Sequence, residues 1–235
     1  MRTPVKLAAA VLAALCATGL AACTSDGDST PGPTPPSPAQ RLAAAKAKVD
    51  EAPSVHLKLD SSGVPKDASG VTAGDGWGAH PPAFKGTLKG VFSGIPADVQ
   101  IVSTDGEVWA KLPLFPGMNK IDPKAFGVPD PATLFSPDRG LSSLLTATQS
   151  PAQGEKTRNG AEVLTTIKGT IPGGNVVDLF LIGDRNGSFQ ATYGLTDADE
   201  LRQVAVTGPF FGPGTSSTYT MTLDQYGTPV TIEKP

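Results

Sequence analysis

Residues 98–112 read Asp98-Val99-Gln100-Ile101-Val102-Ser103-Thr104-Asp105-Gly106-Glu107-Val108-Trp109-Ala110-Lys111-Leu112. The central Asp105-Gly106 pair is a strong short-range signal for a type I′ β-hairpin, because both turn positions need φ > 0 and the turn's twist matches that of the flanking strands. Fixing the turn fixes the register, with Ser103 opposite Val108, Ile101 opposite Ala110 and Val99 opposite Leu112. Side chains alternate along a strand, so those six share one face, while Gln100, Val102, Thr104, Glu107, Trp109 and Lys111 take the other. One face is dry and the other largely wet, the pattern of an antiparallel sheet covered on one side only.

The pattern extends toward the N-terminus. A strand over Lys85–Ser93 places Leu88 and Phe92 on one face and Val91 on the other, and Val55, Leu57 and Leu59 alternate with His56, Lys58 and Asp60. The Gly-rich stretch Ser61–His80 between them reads as a loop or irregular edge. Before these strands, Gln40–Ala52 carries Leu42, Ala45 and Val49 on one helical stripe and is stopped by Pro53. Toward the C-terminus, Ser136-Pro137-Asp138 has the order of an N-cap, an N1 proline and an early acid, which predicts a helix to about Thr148 with Leu141, Leu144 and Leu145 as its apolar stripe. Asn159-Gly160 signals a hairpin between Glu155–Arg158 and Ala161–Thr170. Val176–Ile182 is apolar but too short to assign as strand or helix by period. Further strands are expected at Phe189–Leu195, Leu201–Thr207, Ser217–Asp224 and Pro229–Glu233, with Gln225–Thr228 turning the last pair. The class is α+β. A sheet of about eight or more strands with few helices to cover it must curl to hide its apolar face, and a curled sheet makes a trough.

The chain opens with Arg2 and Lys6, an apolar run from Leu7 to Leu20, and then Leu20-Ala21-Ala22-Cys23, the charge, core and small-residue order of a lipoprotein signal. Residues 1–22 are therefore expected to be removed and Cys23 to carry the acyl anchor. Two or three acyl chains at about 0.8 kcal/mol per buried methylene hold a protein on a membrane where one barely would. This places the protein on the extracytoplasmic face of the cell membrane. Residues 23–39, rich in Thr, Ser, Pro, Gly and Asp, are expected to be a solvated tether with a reach of up to about 50 Å, and residues 40–235 a single domain. Cys16 leaves with the signal and Cys23 is modified, so neither a disulfide nor a cysteine metal site is available. The net charge of -3, with 19 basic and 22 acidic residues well mixed, gives no basic stripe for nucleic acid.

Gly86-Thr87-Leu88-Lys89, Asp98-Val99-Gln100-Ile101-Val102, Asp105-Gly106, Trp109-Ala110, Asp130-Pro131-Ala132, Pro137-Asp138-Arg139-Gly140-Leu141, Asn159-Gly160, Met221-Thr222-Leu223, Tyr226-Gly227 and Val230–Pro235 occur in this order and spacing. Together they resemble the mycobacterial LppX/LprA/LprF/LprG lipoproteins, and the LprG branch most. The resemblance implies a half-barrel antiparallel sheet wrapped over helices, with an apolar cavity that takes the acyl chains of lipids and glycolipids. It further implies triacylated glycolipid or triacylglycerol as ligand, a major-facilitator transporter as partner, and Leu88 on the cavity wall. Two departures stand out: Val176–Ile182 lies where LprG has a short helix, and Pro209–Gly214 looks like an insertion.

Catalytic chemistry is sparse. There is no Gly-x-Ser-x-Gly elbow, and the two histidines, His56 on a strand's polar face and His80 before two prolines, read as solvated rather than catalytic. The Asp197, Asp199 and Glu200 cluster reads as a solvated acidic turn rather than a calcium site, and no cofactor motif is present. What remains is apolar surface. Leu88, Phe92, Val99, Ile101, Val108, Ala110, Leu141, Leu144 and Leu145 are the candidate cavity lining, and the alternative for each is a closed core position. Phe210-Phe211, flanked by Pro and Gly, is a candidate mouth or membrane-dipping loop; otherwise one ring packs inside and the other is partly exposed. The expected function is a non-enzymatic, membrane-anchored lipid carrier. The rival is a closed-core lipoprotein that scaffolds a transporter without binding a ligand.

Overall fold

Eleven antiparallel strands form one sheet because the chain lays down two meanders and then pairs them. The first runs outward through β1 (Ser54–Ser62), β2 (Gly70–Ala79), β3 (Ala83–Phe92), β4 (Ile95–Thr104), β5 (Glu107–Lys111) and β6 (Asn119–Ile121). The second starts at the far edge and runs inward through β7 (Gln149–Asn159), β8 (Glu162–Pro172), β9 (Ser188–Leu195), β10 (Leu201–Gly208) and β11 (Ser217–Asp224). The spatial order is β6-β5-β4-β3-β2-β1-β11-β10-β9-β8-β7, so β1 and β11 meet at the centre and the sheet stays open at β6 and β7. The computed structural model describes residues 35–92, 94–112 and 115–235. The expected signal peptide, Cys23 and nearly all of the tether lie outside them.

Three helices, α1 (Pro38–Glu51), α2 (Ser143–Ala147) and α3 (Gly173–Phe180), sit against the concave face. α1 begins two residues earlier than its apolar stripe suggests: Ser37 and Gln40 form a reciprocal capping box and Pro38 takes the first turn. Its buried residues are Leu42, Ala45 and Val49, as the stripe requires. Arg41 ties it to the β9–β10 turn through Asp199 at 2.5 Å and the Thr196 carbonyl at 2.9 Å. Residues 36–235 carry the whole described core, both flanks of the sheet and all three helices, and form one compact unit.

The β4–β5 hairpin has the expected register, Ser103 opposite Val108 and Ile101 opposite Ala110, with φ of 53° at Asp105 and 71° at Gly106. β5 stops at Lys111, so the Val99–Leu112 pair does not form. Other expectations need correction. Ser61–His80 is no loop over its second half: β2 is a full central strand, and its glycines are what allow large neighbours to lie across it. The helix expected from Ser136 to Thr148 is a turn followed by the short α2. Gly140 folds back to donate to the Ser136 carbonyl at 2.6 Å, and Leu141 to that of Leu134 at 2.8 Å. The second hairpin turns on Gly160-Ala161, one residue later than the Asn-Gly signal, with Asn159 paired to Glu162. Val176–Ile182 resolves into α3 and its left-handed cap Leu181, with φ 58°. Pro229–Glu233 is no strand. Gly227 and Thr228 are instead tied to Ser54, and Lys234 reaches Glu107 at 3.1 Å.

On the convex face, the central seam is clipped by His56 of β1. Its Nδ1 lies 2.8 Å from Asp224 of β11 and its Nε2 3.1 Å from Asp75 of β2, with the Trp77 ring 5.1 Å away. Burial lowers the imidazole pKa, but the hydrogen bonds and charges of the two carboxylates outweigh it and raise it above 6.5. A raised folded pKa stabilises fully below the unfolded value near 6.5 and loses that contribution as pH rises through the folded value. The thermal-stability gap between wild type and His56→Gln is therefore expected to be widest in mildly acid buffer and to narrow in alkaline buffer; a gap that stays constant with pH contradicts a charged clip.

Candidate functional site

The three helices are distributed unevenly over the concave face. α1, α2 and α3 pack on one another and on β7, β8, β9 and β10, filling that half. Over β2, β3 and β4 the cover is a short 3₁₀ segment, Pro131–Phe135. Asp130 pins it, capping Ala132 N at 2.9 Å and accepting a hydrogen bond from the buried Ser103 hydroxyl of β4. Beneath it the inward-facing positions of β2 are Gly74, Gly76 and Gly78, in register with Leu59, Leu57 and Val55 on one side and Leu88, Gly86 and Phe84 on the other. A Cβ on Gly78 would lie 2.0 Å from the Phe135 ring, and one on Gly76 2.6 Å from that of Phe84. The glycines thus let both aromatics lie flat across the strands, where Phe84 and Phe135 stack at 6.3 Å.

Two apolar hollows lie in this thinly covered half. The larger, about 360 Å³, follows β3 and β4 along Leu88, Phe92, Ile95, Ala97, Val99 and Ile101. Leu112, Phe115 and Ile121 close one side, and Pro123, Phe126 and Val128 cover it. Every described side chain in its wall is apolar. The smaller, about 70 Å³, lies toward the central seam between Leu57, Leu59, Phe84, Leu134, Phe180 and Met221. Leu88 and Val128 border both, standing between them. The polar side chain at the smaller hollow is Tyr219, whose hydroxyl donates to the Val71 carbonyl at 3.1 Å and whose pKa burial pushes up to about 12. A cavity with no free polar partners stays dry and favours hydrocarbon over water.

The sequence candidates divide along the same line. Leu88, Phe92, Val99 and Ile101 line the larger hollow. Leu141, Leu144 and Leu145 are buried beneath the helices in the filled half and border neither hollow, and Ala110 is closed core. Val108 is buried at the edge of a separate cleft of about 300 Å³ whose rim is polar, with Glu107, Lys120, Asp122, Lys124 and Asp130. The Phe210-Phe211 pair is not an exposed mouth. Phe210 is only 3% exposed, edge-on to Tyr219 at 4.7 Å and to Phe189 at 4.9 Å, while Phe211 is half-buried against the core. The rim lies instead at Ile95 and Phe115, which are 65% and 59% exposed. Sequence reading missed Ile95 and Ala97, which continue the Val99–Ile101 alternation but flank Pro96, a residue that lacks the strand's backbone N–H and obscures the pattern. Val128 and Phe126 sit in a connection without any period.

The histidines do other work. His56 holds the seam, and His80 Nδ1 pairs with the Ala52 carbonyl at 2.7 Å. Asp199, Asp197 and Glu200 pair with Arg41, Lys156 and Arg202, and no group of three or more potential metal ligands occurs among the described residues.

A family model, LppX_LprAFG lipoprotein, matches residues 37–232, and the chain belongs to this family. No curated protein sequence matches. Among solved structures the fold is similar to that of LprF from Mycobacterium bovis, with TM-score 0.69 and 17% identity over 84% of this chain and 96% of that one. It is likewise similar to lipoprotein LppX from Mycobacterium tuberculosis, with TM-score 0.62 and 18% identity over 83% of this chain and 98% of that one. Both likenesses concern the open, curled sheet and its helices.

Phe210→Ala should remove a packed core ring and cost about 3–5 kcal/mol, read as a lower urea midpoint, whereas Phe211→Ala should cost clearly less. Equal and small losses for the two contradict the core position of Phe210.

Proposed function

We propose that this member of the LppX_LprAFG family is a membrane-anchored lipid carrier that shelters an acyl chain in the hollow along β3 and β4. The observation that carries this reading is the wholly apolar wall of a cavity of about 360 Å³. A sixteen-carbon chain exposed to water costs on the order of 12 kcal/mol at about 0.8 kcal/mol per methylene, so enclosing it is the work a carrier has to do. A polar substrate finds no side-chain partner in that wall; a hydrocarbon needs none. The protein acts by binding rather than by catalysis.

The volume bears on the ligand. It lies near the lower end of the roughly 300–1,000 Å³ typical of small-molecule sites. That suits one chain, and a triacylated glycolipid or triacylglycerol, the ligand class the family resemblance implies, requires the trough to widen. Leu88 and Val128 are the side chains whose displacement would merge the two hollows. The acyl anchor at Cys23 and the tether after it would keep the opening within reach of the extracytoplasmic membrane face, where a major-facilitator transporter is the expected partner.

Leu88→Trp tests this directly. The added ring should enter the hollow and lower the lipid recovered by solvent extraction several-fold, with the melting temperature changed little. Leu144→Trp, in the filled half, should instead destabilise the fold through overpacking, by about 1–3 kcal/mol. Undiminished lipid in Leu88→Trp contradicts the assigned wall, and a wild-type protein that yields no lipid at all favours the closed-core scaffold.

A further inference from the structure

We propose that Gly74 of β2 sets the size of hydrocarbon the hollow accepts, by leaving the tip of Leu88 a place to rest over β2 and so keeping the space along β3 and β4 open; this rests on the carrier reading, since a bore matters only to a protein that fills it. Gly74, Gly76 and Gly78 take successive inward positions of the strand, but the atoms that crowd them differ in kind. A Cβ on Gly76 would lie 2.6 Å from the Lys85 carbonyl oxygen and 2.8 Å from the Gly86 Cα, both backbone atoms of the adjacent strand, and one on Gly78 would strike the Phe135 ring. Those two glycines serve the sheet and its roof. A Cβ on Gly74 would lie 2.9 Å from Leu88 Cδ2, the free end of a flexible side chain. Its next neighbours, the Thr87 carbonyl oxygen at 3.6 Å and Leu59 Cβ at 3.7 Å, are at ordinary contact distance. Gly74 is also absent from the positive-φ glycines, so the backbone there accepts any residue. Glycine inside a strand costs conformational entropy and buries no side chain. The fold gains nothing from it at position 74; the position of Leu88 does.

That position decides how the space is shared. Leu88 stands opposite Gly74 on one side of β3 and opposite Val99 on the other. Gly74 borders the smaller hollow and Val99 the larger, while Leu88 borders both. A methyl group in its resting place drives the Leu88 tip off β2, and the apolar space on its far side is the larger hollow beside Val99. At about 360 Å³ that hollow lies near the lower limit for a ligand site and has little slack to absorb the intrusion. Packed walls transmit a displacement of even one methyl. Gly74 lies outside the wall of the larger hollow and acts on it through Leu88, as a positioning residue for chain length.

The test uses the full chain reconstituted in vesicles and two photoreactive probes, palmitic acid and decanoic acid each bearing a diazirine, with label counted only on peptides from β3 and β4. Gly74→Ala should lower palmitic labelling several-fold and decanoic labelling less, because the shorter chain fits the space that is left. Adding Leu88→Ala to Gly74→Ala should restore palmitic labelling to the wild-type level or above, a rescue that a merely structural glycine would not allow. Gly76→Ala, whose Cβ meets backbone, should lower the melting temperature far more than Gly74→Ala does. Undiminished palmitic labelling in Gly74→Ala overturns the proposal, as does a loss that Leu88→Ala fails to rescue. A Gly74→Ala chain that loses as much stability as Gly76→Ala shows a glycine serving the fold and overturns it too. Wild-type chain that takes neither probe on β3 and β4 removes the carrier reading and the bore with it, whereas wild type and Gly74→Ala labelled alike remove the bore alone.

Discussion

The pairing of β1 with β11, with Leu57 opposite Leu223 and Leu59 opposite Met221, is the constraint from which the rest of the molecule follows. It joins the first meander to the second and turns two modest sheets into one of eleven strands. A sheet of that width cannot stay flat with a single apolar face, and it curls around whatever covers that face. The cover is limited: helices of fourteen, five and eight residues and two short 3₁₀ segments. All three helices lie over the half that contains β7–β10. The hollow lies in the part of the concave face that the helices leave uncovered, and its position against β3 and β4 is a consequence of topology before it is a matter of individual side chains.

The thin half still holds together because backbone hydrogen bonds and a few large rings replace a helical layer. Glycines at positions 74, 76 and 78 lower the floor so that Phe84 and Phe135 can bridge the strands. Asp130, buttressed by Ser103, holds the roof at a fixed height. Below the roof, Leu88 and Val128 divide the space. On the opposite side of the seam Phe180, Phe189, Phe210 and Tyr219 pack together in the core, with edge-on contacts between about 4.7 and 6.2 Å and the Phe180 and Tyr219 rings stacked at 6.4 Å. The sheet thus has a packed half that supplies stability and a roofed half that supplies capacity.

Much of this was legible from the chain, and where it was not the reason is physical. Asp105-Gly106 determined a register because the turn demands two positive φ values, and alternation then identified Val99 and Ile101 as inward-facing. Leu88 and Phe92 followed by the same alternation. Alternation reports which face a residue takes, however, and not whether that face is filled. Leu141, Leu144 and Leu145 are as apolar as Leu88 and lie in solid core, because the helices that fill their half of the trough belong to distant segments. β2 was unreadable as a strand because its inward positions are glycines, which are selected here for the space they leave and carry no hydrophobic signal. The exposed rim at Ile95 and Phe115 was likewise invisible, because the start of β4 and the β5–β6 connection both border the hollow there, while the Phe210-Phe211 pair, more conspicuous in the sequence, is drawn into the core.

The central claim is that the inward face along β3 and β4 is left empty by the protein's own side chains and accepts a foreign hydrocarbon. The most direct measurement is a crystal structure of the domain bound to a fatty acid brominated along its chain, with the bromine located by anomalous scattering. The account predicts a bromine peak in the space bounded by Leu88, Val99 and Val128. A solid interior at that place, with bromine only on the surface or nowhere, would contradict it.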